Sequence, residues 1–224
     1  PQNRDRFGLD DPGSAVHRFT LRRIRETNLS KTTTPIESEK AELRRDAAAR
    51  RDALPPDARK ASAEAIAARP LPLPIVPGTV VSGFMPLRSE INPLPLMKTL
   101  AEAGATLALP KIAGRGKPLI MRAWHWGAPL DAGQWGIREP KAEYPEVDPD
   151  ILLVPLLAFD RAGQRIGYGA GYYDMTIARL RSRKAVTAIG IAFSMQEVSA
   201  VPAMERDEPL DFVLTEREVI EIKG

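Results

Sequence analysis

Ile151-Leu152-Leu153-Val154-Pro155-Leu156-Leu157-Ala158-Phe159 is nearly all apolar. A run of that length is far short of the roughly 20 residues a membrane span needs, and it reads as one strand buried on both faces at the centre of a parallel sheet. Soon after it come Gly163-Gln164-Arg165-Ile166-Gly167-Tyr168-Gly169-Ala170-Gly171 and then Tyr172-Tyr173-Asp174. Glycine at every second position opens positive φ and lets the backbone approach an anion. A helix starting near Tyr172 would aim its free N–H groups at the same place. The loop therefore reads either as a phosphate cradle or as a tight turn between strand and helix. It meets neither the G-x-x-x-x-G-K-[ST] nor the full G-x-G-x-x-G pattern. Arg165 and Asp174 favour the cradle, offering a guanidinium for phosphate oxygens and a carboxylate for a divalent cation.

Outward from this stretch, strands and helices alternate. Downstream, a helix from Tyr172 to about Arg183 precedes a strand from Ala185 to Phe193. Upstream, Thr34-Pro35-Ile36-Glu37 reads as an N-cap, a first-turn proline and a capping-box acid, opening a helix that runs to Leu54. Pro55-Pro56 breaks it, and Asp57 to Ala68 resumes as a second helix. Seven prolines between Pro70 and Pro95 frame a short strand, Thr79 to Met85. Asn92-Pro93 starts a helix that Gly104 ends, and Thr106 to Leu109 is the next strand. Residues 111–149 give one further strand, Leu119 to Trp124, and otherwise loop. The pattern predicts an α/β, three-layer, Rossmann-like fold with a mostly parallel sheet and an N-terminal helical pair packed on it.

At 224 residues, a prior of about 150 residues per domain allows one large domain with an appendage. The division expected is a disordered or extended segment over 1–34 and a single α/β domain over 35–224. Hydrophobic residues at 43% and charged residues at 27% exclude a wholly disordered chain. The net charge of +3 is concentrated at the start, since residues 1–31 hold seven Lys/Arg and four Asp/Glu, leaving 25 of each sign beyond. A neutral body argues against a broad nucleic-acid face. With no cysteine, disulfides and thiolate chemistry are excluded, and with two histidines, His17 and His125, a multi-histidine metal site is disfavoured. The expectation is a cytoplasmic monomer acting on small molecules, with neither nucleic acid nor membrane as partner.

Taken together, the apolar run, the glycine loop and Tyr172-Tyr173-Asp174 resemble the signature of the 5-formyltetrahydrofolate cyclo-ligase family. Lys40-Ala41-Glu42-Leu43-Arg44 is similar to its K-x-x-L-R element, and Gly83-Phe84-Met85-Pro86-Leu87-Arg88-Ser89-Glu90-Ile91 to its strand and substrate loop. Val201-Pro202-Ala203-Met204-Glu205-Arg206-Asp207 followed by Asp211-Phe212-Val213-Leu214-Thr215 resembles its closing acidic stretch. The resemblance implies ATP- and Mg²⁺-dependent closure of 5-formyltetrahydrofolate to 5,10-methenyltetrahydrofolate, with the formyl oxygen attacking the γ-phosphate and N10 displacing phosphate. Positioning and electrostatics carry such chemistry, which suits a chain without a nucleophilic triad.

The roles follow from the same resemblance. ATP is implied at Lys40, Arg44, Arg165, Ile166, Gly167, Tyr168, Gly169, Ala170, Gly171, Tyr172 and Tyr173, with Arg165 and Tyr173 as catalytic groups. Asp174 and Asp207 are implied as metal ligands, and Met85, Glu90, Trp135, Gly169 and Tyr172 as folate contacts. Read as residues alone, Lys40 and Arg44 at i and i+4 are equally a solvated helical face. Glu90 is equally a charge at a helix N-terminus, and Asp207 a loop carboxylate. Lys111 is a further candidate for a phosphate or folate-glutamate contact, and His125 reads as a surface residue. Two departures from the pattern are Leu156, where glycine is usual, and Arg206, where histidine is frequent. Two other readings stay open on fold alone: a sugar-phosphate isomerase or acyl-CoA-transferase-like enzyme, and a non-enzymatic nucleotide-binding module.

Overall fold

The computed structural model describes residues 35–223, apart from the side chain of Trp135. The expectations for residues 1–34, including Thr34 as an N-cap, lie outside the described residues. The first helix, α1 (Pro35–Asp52), carries Glu37 in its first turn and Arg50 and Arg51 in its last, matching the helix dipole at both ends. Pro55 and Pro56 separate it from α2 (Pro56–Ala67), whose first-turn proline loses no helical hydrogen bond. Strand β1 (Val80–Ser82) is shorter than expected, and the chain beyond it continues outside any ladder to the turn before α3 (Leu94–Glu102). The Leu94 N–H donates to the Asn92 side chain at 3.1 Å, and Gly104 at φ +97° lets the chain turn back after α3. Next come β2 (Thr106–Lys111) and β3 (Ile120–Ala123).

Two differences from the sequence reading follow. The expected loop between 124 and 149 contains a hairpin, β4 (Leu130–Ala132) and β5 (Arg138–Pro140), closed by a 3-10 turn over Gln134–Gly136. The apolar run 151–159 is two strands, not one: β6 (Ile151–Pro155) in the main sheet and β7 (Ala158–Phe159), which pairs with β8 (Arg165–Ile166). Pro155 ends β6, and the Leu156 and Leu157 carbonyls leave the ladder to accept from the buried Gln196 amide at 2.8 and 3.0 Å. Hydrophobic content could not reveal this break, because both pieces are equally buried. Leu156 in place of glycine is accommodated by Gly190, where an added Cβ would lie 2.9 Å from the Leu156 side chain.

Helix α4 (Tyr172–Arg181), β9 (Thr187–Ile191), β10 (Phe212–Leu214) and β11 (Val219–Glu221) complete the chain. The main sheet has seven strands in the order β11-β10-β9-β6-β1-β2-β3. The five inner strands are parallel and the two edges antiparallel. Alternation along β6 divides the core: Ile151 and Leu153 face α2 and α3 with Ile66, Leu96 and Met97, while Leu152 and Val154 face Ile177 and Leu180 of α4. Layers of helix, sheet and helix result, as expected. The helical pair divides its tasks, α2 covering the sheet and α1 packing through Ala47 on Leu157, Ala158 and Ile166 of the β7–β8 hairpin. Among the described residues no helix is long and apolar enough to cross a membrane.

From β1 the chain moves to β2 on one side, and from β6 to β9 on the other, so the direction of strand addition reverses between β1 and β6. Open α/β sheets bind ligands outside the carboxyl ends of the strands at such a switch point. Both loops that carry the sequence motifs leave the sheet there: residues 83–93 after β1, and the segment through β7 and β8 to the glycine loop after β6.

Candidate active site

One face of α1 organises the site. Lys40, Arg44, Ala47 and Arg51 stand at i, i+4, i+7 and i+11, and Lys40, Ala47 and Arg51 are buried. Ala47 holds this face onto the hairpin, and the three cations reach three separate loops. Lys40 forms an ion pair with Asp207. Arg44 donates from Nε to the Gly167 carbonyl at 3.0 Å and lies flat against Gly169, where an added Cβ would meet the guanidinium at 3.4 Å. Gly169 at φ +96° and Gly171 at +69° use the left-handed region, so the loop needs glycine for both conformation and clearance. Gly167, by contrast, requires neither.

The other wall of this cation-lined half is the turn at 204–208. Asp207 accepts from its own Met204 N–H at 2.8 Å, and the Glu208 carbonyl accepts from Arg165. Arg165 also pairs with Asp174 at 2.7 Å, and the Glu208 N–H donates to the same Asp174 oxygen at 3.2 Å. Lys40, Arg44, Arg165, Asp174 and Asp207 are thus linked through one turn and one loop. Among the described residues no three acids, histidines or cysteines stand together as a cage. Mg²⁺ commonly takes one or two carboxylates and completes its shell with water and substrate phosphates. Asp174 and Asp207 are the carboxylates here that could serve such an ion, and each is engaged by a cation of the chain, Arg165 and Lys40.

Beyond Arg44 the same helix face reaches the loop after β1. Arg51 is 2% exposed. It donates to Ser89 Oγ at 3.0 Å and to the Tyr168 hydroxyl at 2.7 Å, with the Tyr168 ring centroid 5.7 Å from its guanidinium carbon. Ser89 in turn donates to Asp52. Glu90 accepts from the Leu87 N–H at 2.7 Å. Burial pushes its carboxyl above the usual carboxylate range, opposed by the Leu87 hydrogen bond, the Arg51 charge and a Tyr168 hydrogen bond. Burial and the Glu90 charge raise both the Tyr168 and the Tyr173 hydroxyl, leaving protonated phenols beside a carboxylate.

The remaining candidates divide. Tyr172 and Tyr173 are both half-buried and pack against the core under α4. Met85 is half-buried at the edge of the α2–α3 core. Ala170 is exposed on the loop, whereas the Ile166 side chain is buried in the hairpin and its carbonyl is occupied by the Leu157 N–H at 2.7 Å. The Trp135 side chain lies outside the described residues. Lys111 is held at 3.4 Å by the buried Glu139, and His125 is exposed. Arg51, Ser89 and Asp52 were not singled out from sequence. The signal for Arg51 existed, since it continues the Lys40–Arg44 face at helical spacing, but an arginine at a helix end is ordinarily read as a dipole partner.

Comparisons with known proteins bear on the family and the fold. Residues 36–216 match the model of the 5-formyltetrahydrofolate cyclo-ligase family. A 5-formyltetrahydrofolate cyclo-ligase of Escherichia coli strain K12 is 33% identical over 181 residues, covering 77% of this chain and 97% of that one. One from Mycolicibacterium smegmatis is 32% identical over 186 residues, covering 79% and 93%. The solved structure of 5,10-methenyltetrahydrofolate synthetase from Aquifex aeolicus superposes with a TM-score of 0.68 at 31% identity, covering 83% of this chain and 93% of that one.

Proposed function

The chain belongs to the 5-formyltetrahydrofolate cyclo-ligase family, and from that membership we propose how its own residues share the reaction. The reaction is the ATP-dependent closure of 5-formyltetrahydrofolate to 5,10-methenyltetrahydrofolate. The formyl oxygen attacks the γ-phosphorus, the bond to ADP breaks, and N10 then attacks the activated formyl carbon, losing its proton as phosphate departs. Neither step needs a protein nucleophile, which suits a site of cations, amides and carboxylates.

Lys40, Arg44 and Arg165, with the N–H groups of residues 167–171 at the start of α4, hold the triphosphate. The charge that develops on the transferred group meets donors already fixed around it. Asp174 and Asp207 turn from Arg165 and Lys40 to a Mg²⁺ ion that arrives with ATP. That ion, once bound, neutralises phosphate charge. Glu90 accepts from pterin N–H groups, while the Tyr168 and Tyr173 hydroxyls, held protonated, donate. Met85, Tyr172 and Trp135 supply apolar and aromatic surface. We propose a cytoplasmic monomer.

The observation that carries this division is the single α1 face on which Arg44 reaches the glycine loop at Gly167 and Arg51 reaches the Glu90 loop at Ser89. The test is the near-ultraviolet absorbance of the methenyl product after the protein is mixed with 5-formyltetrahydrofolate, Mg²⁺ and ATP. An ATP-dependent rise that Arg44→Glu abolishes is the expected result. A rise that survives charge reversal at Arg44 would remove α1 from the phosphate site.

A further inference from the structure

Helix α4 ends in two arginines that reach different places. Arg179 pairs with Asp148, ahead of β6, whereas Arg181 forks between Glu208 at 2.8 Å and Asp211 at 2.9 Å. A basic residue in a last turn is ordinarily explained by the helix dipole. That explanation asks for no acidic partner. Here there are two, and both stand on the segment that follows Asp207.

Glu208 is where the links meet. Its carbonyl accepts from Arg165, its N–H donates to Asp174 at 3.2 Å, and its carboxylate pairs with Arg181. Asp174 and Arg181 stand at i and i+7 on α4, two turns and about 10 Å apart on one face. That face therefore holds Glu208 by its backbone at the first turn and by its side chain at the last. Asp211 is anchored in turn: its Oδ2 also accepts from the Ala188 N–H at 2.7 Å, and its own N–H donates to the Ala188 carbonyl at 2.9 Å. Arg181 thus ties the 204–208 turn to α4 directly and, through Asp211, to β9.

We propose that Arg181 is a positioning residue for the metal ion, holding the 204–208 turn on α4 while Asp207 and Asp174 exchange their cations for Mg²⁺. The proposal rests on the reading of those two acids as metal ligands. In the free protein the turn is fastened by Lys40 to Asp207 and by the Arg165–Asp174 pair through Glu208. Those are the links the exchange disturbs, and the Arg181–Glu208 pair is not among them. With Arg181 in place the ion meets two carboxylates already gathered; without it, gathering them costs chain entropy at the moment of binding. Arg181, Glu208 and Asp211 are all partly exposed, so their pairing contributes little to folding. An outer partner that orients carboxylate ligands acts on affinity for the ion.

Binding of the β,γ-imido analogue of ATP is measured by calorimetry, once with Mg²⁺ and once with EDTA. The native protein is expected to bind the analogue more tightly with Mg²⁺. In Arg181→Gln that Mg²⁺-dependent gain should fall about tenfold, while the affinity in EDTA stays within about twofold. Arg181→Lys, which keeps the charge but loses the fork, should recover part of the gain. The Mg²⁺ concentration that half-saturates turnover should rise by a similar factor, with the KM for 5-formyltetrahydrofolate unchanged. The thermal midpoint of the nucleotide-free protein should move by less than about 4 °C. Glu208→Gln cuts the same link and spares the backbone contacts of Glu208, so it carries the test if Arg181→Gln fails to fold. An undiminished Mg²⁺-dependent gain in these variants, or equal losses with Mg²⁺ and with EDTA, overturns the proposal. Asp174→Asn keeps the two readings apart. A gain lost in Asp174→Asn but kept in Arg181→Gln removes only the positioning role, whereas a gain absent from the native protein or intact in Asp174→Asn sinks the metal reading and this inference with it.

Discussion

The two ends of α1 face the same reaction with opposite electrostatic construction. At the end proposed for phosphates, buried cations are paired with partly exposed carboxylates across a turn: Lys40 with Asp207, and Arg165 with Asp174. At the end proposed for folate, the buried charges are fixed by neutral groups: Arg51 by Ser89 and Tyr168, Glu90 by a backbone N–H. Ion pairs of this kind can exchange partners, because an arriving phosphate and cation replace what each side loses and leave no charge buried alone. A buried charge held by neutral groups has no such partner to trade. The end proposed for phosphates is therefore suited to rearrangement by its ligand, whereas the end proposed for folate holds its charges through fixed neutral partners and leaves Arg51 Nη1 buried without a hydrogen-bond partner among the described residues. An ATP site must open and close at every turnover, whereas discrimination among folates requires a rigid edge.

The sharpest way to break this contrast is Asp174→Asn. Asparagine keeps an acceptor for Arg165 and Glu208 while removing the negative charge, so the melting temperature should stay close to native. Mg²⁺-supported turnover is expected to fall by about two orders of magnitude or more. An equal loss at every Mg²⁺ concentration, with ATP affinity untouched, would make Asp174 a structural partner of Arg165 only.

Next in size is Arg51→Met, which keeps the stem and removes the charge. The folate KM should rise about tenfold while the ATP KM changes less than about twofold. The pH profile adds a readout that packing alone would not move. Arg51 lowers the Glu90 pKa against its burial, so without Arg51 that pKa rises. If ionised Glu90 binds the pterin, the acid limb of kcat/KM for folate must then shift to higher pH. A shift to lower pH, or matched losses for ATP and folate, would show that the two ends of α1 are not independent.

Tyr168→Phe is the smallest test. It removes one hydroxyl shared between Arg51 and Glu90, and a loss of about threefold in kcat/KM for folate is expected. In a double-mutant cycle with Arg51→Met the two effects should fall short of additivity, since both remove the same hydrogen bond. Full additivity would separate Tyr168 from Arg51.

Much of this was legible beforehand, for identifiable reasons. Pro35, the Pro55-Pro56 break and Gly104 mark helix ends by local backbone chemistry that tertiary contacts rarely override. Gly169 and Gly171 take the positive φ that their spacing suggested. The break at Leu156 was not legible, because hydrophobic content reports burial and not which ladder a carbonyl joins; the deciding group, Gln196, lies about 40 residues away. The β4–β5 hairpin was missed because its strands are three residues each, too short to show alternation.

By itself the sequence determined most of the order of strands and helices, the positive-φ glycines of the loop before α4, and a Lys40–Arg44 pair on one helical face. Those are properties of neighbours along the chain, set by backbone freedom and the 3.6-residue turn. Only the tertiary structure decided that Arg51 belongs to that same working face and that Asp174 and Asp207 meet cations across one turn. Each of these depends on partners brought together from distant parts of the chain. A charge acquires its role from the solvent it loses and the partner it gains, and both are known only once the chain has closed around it.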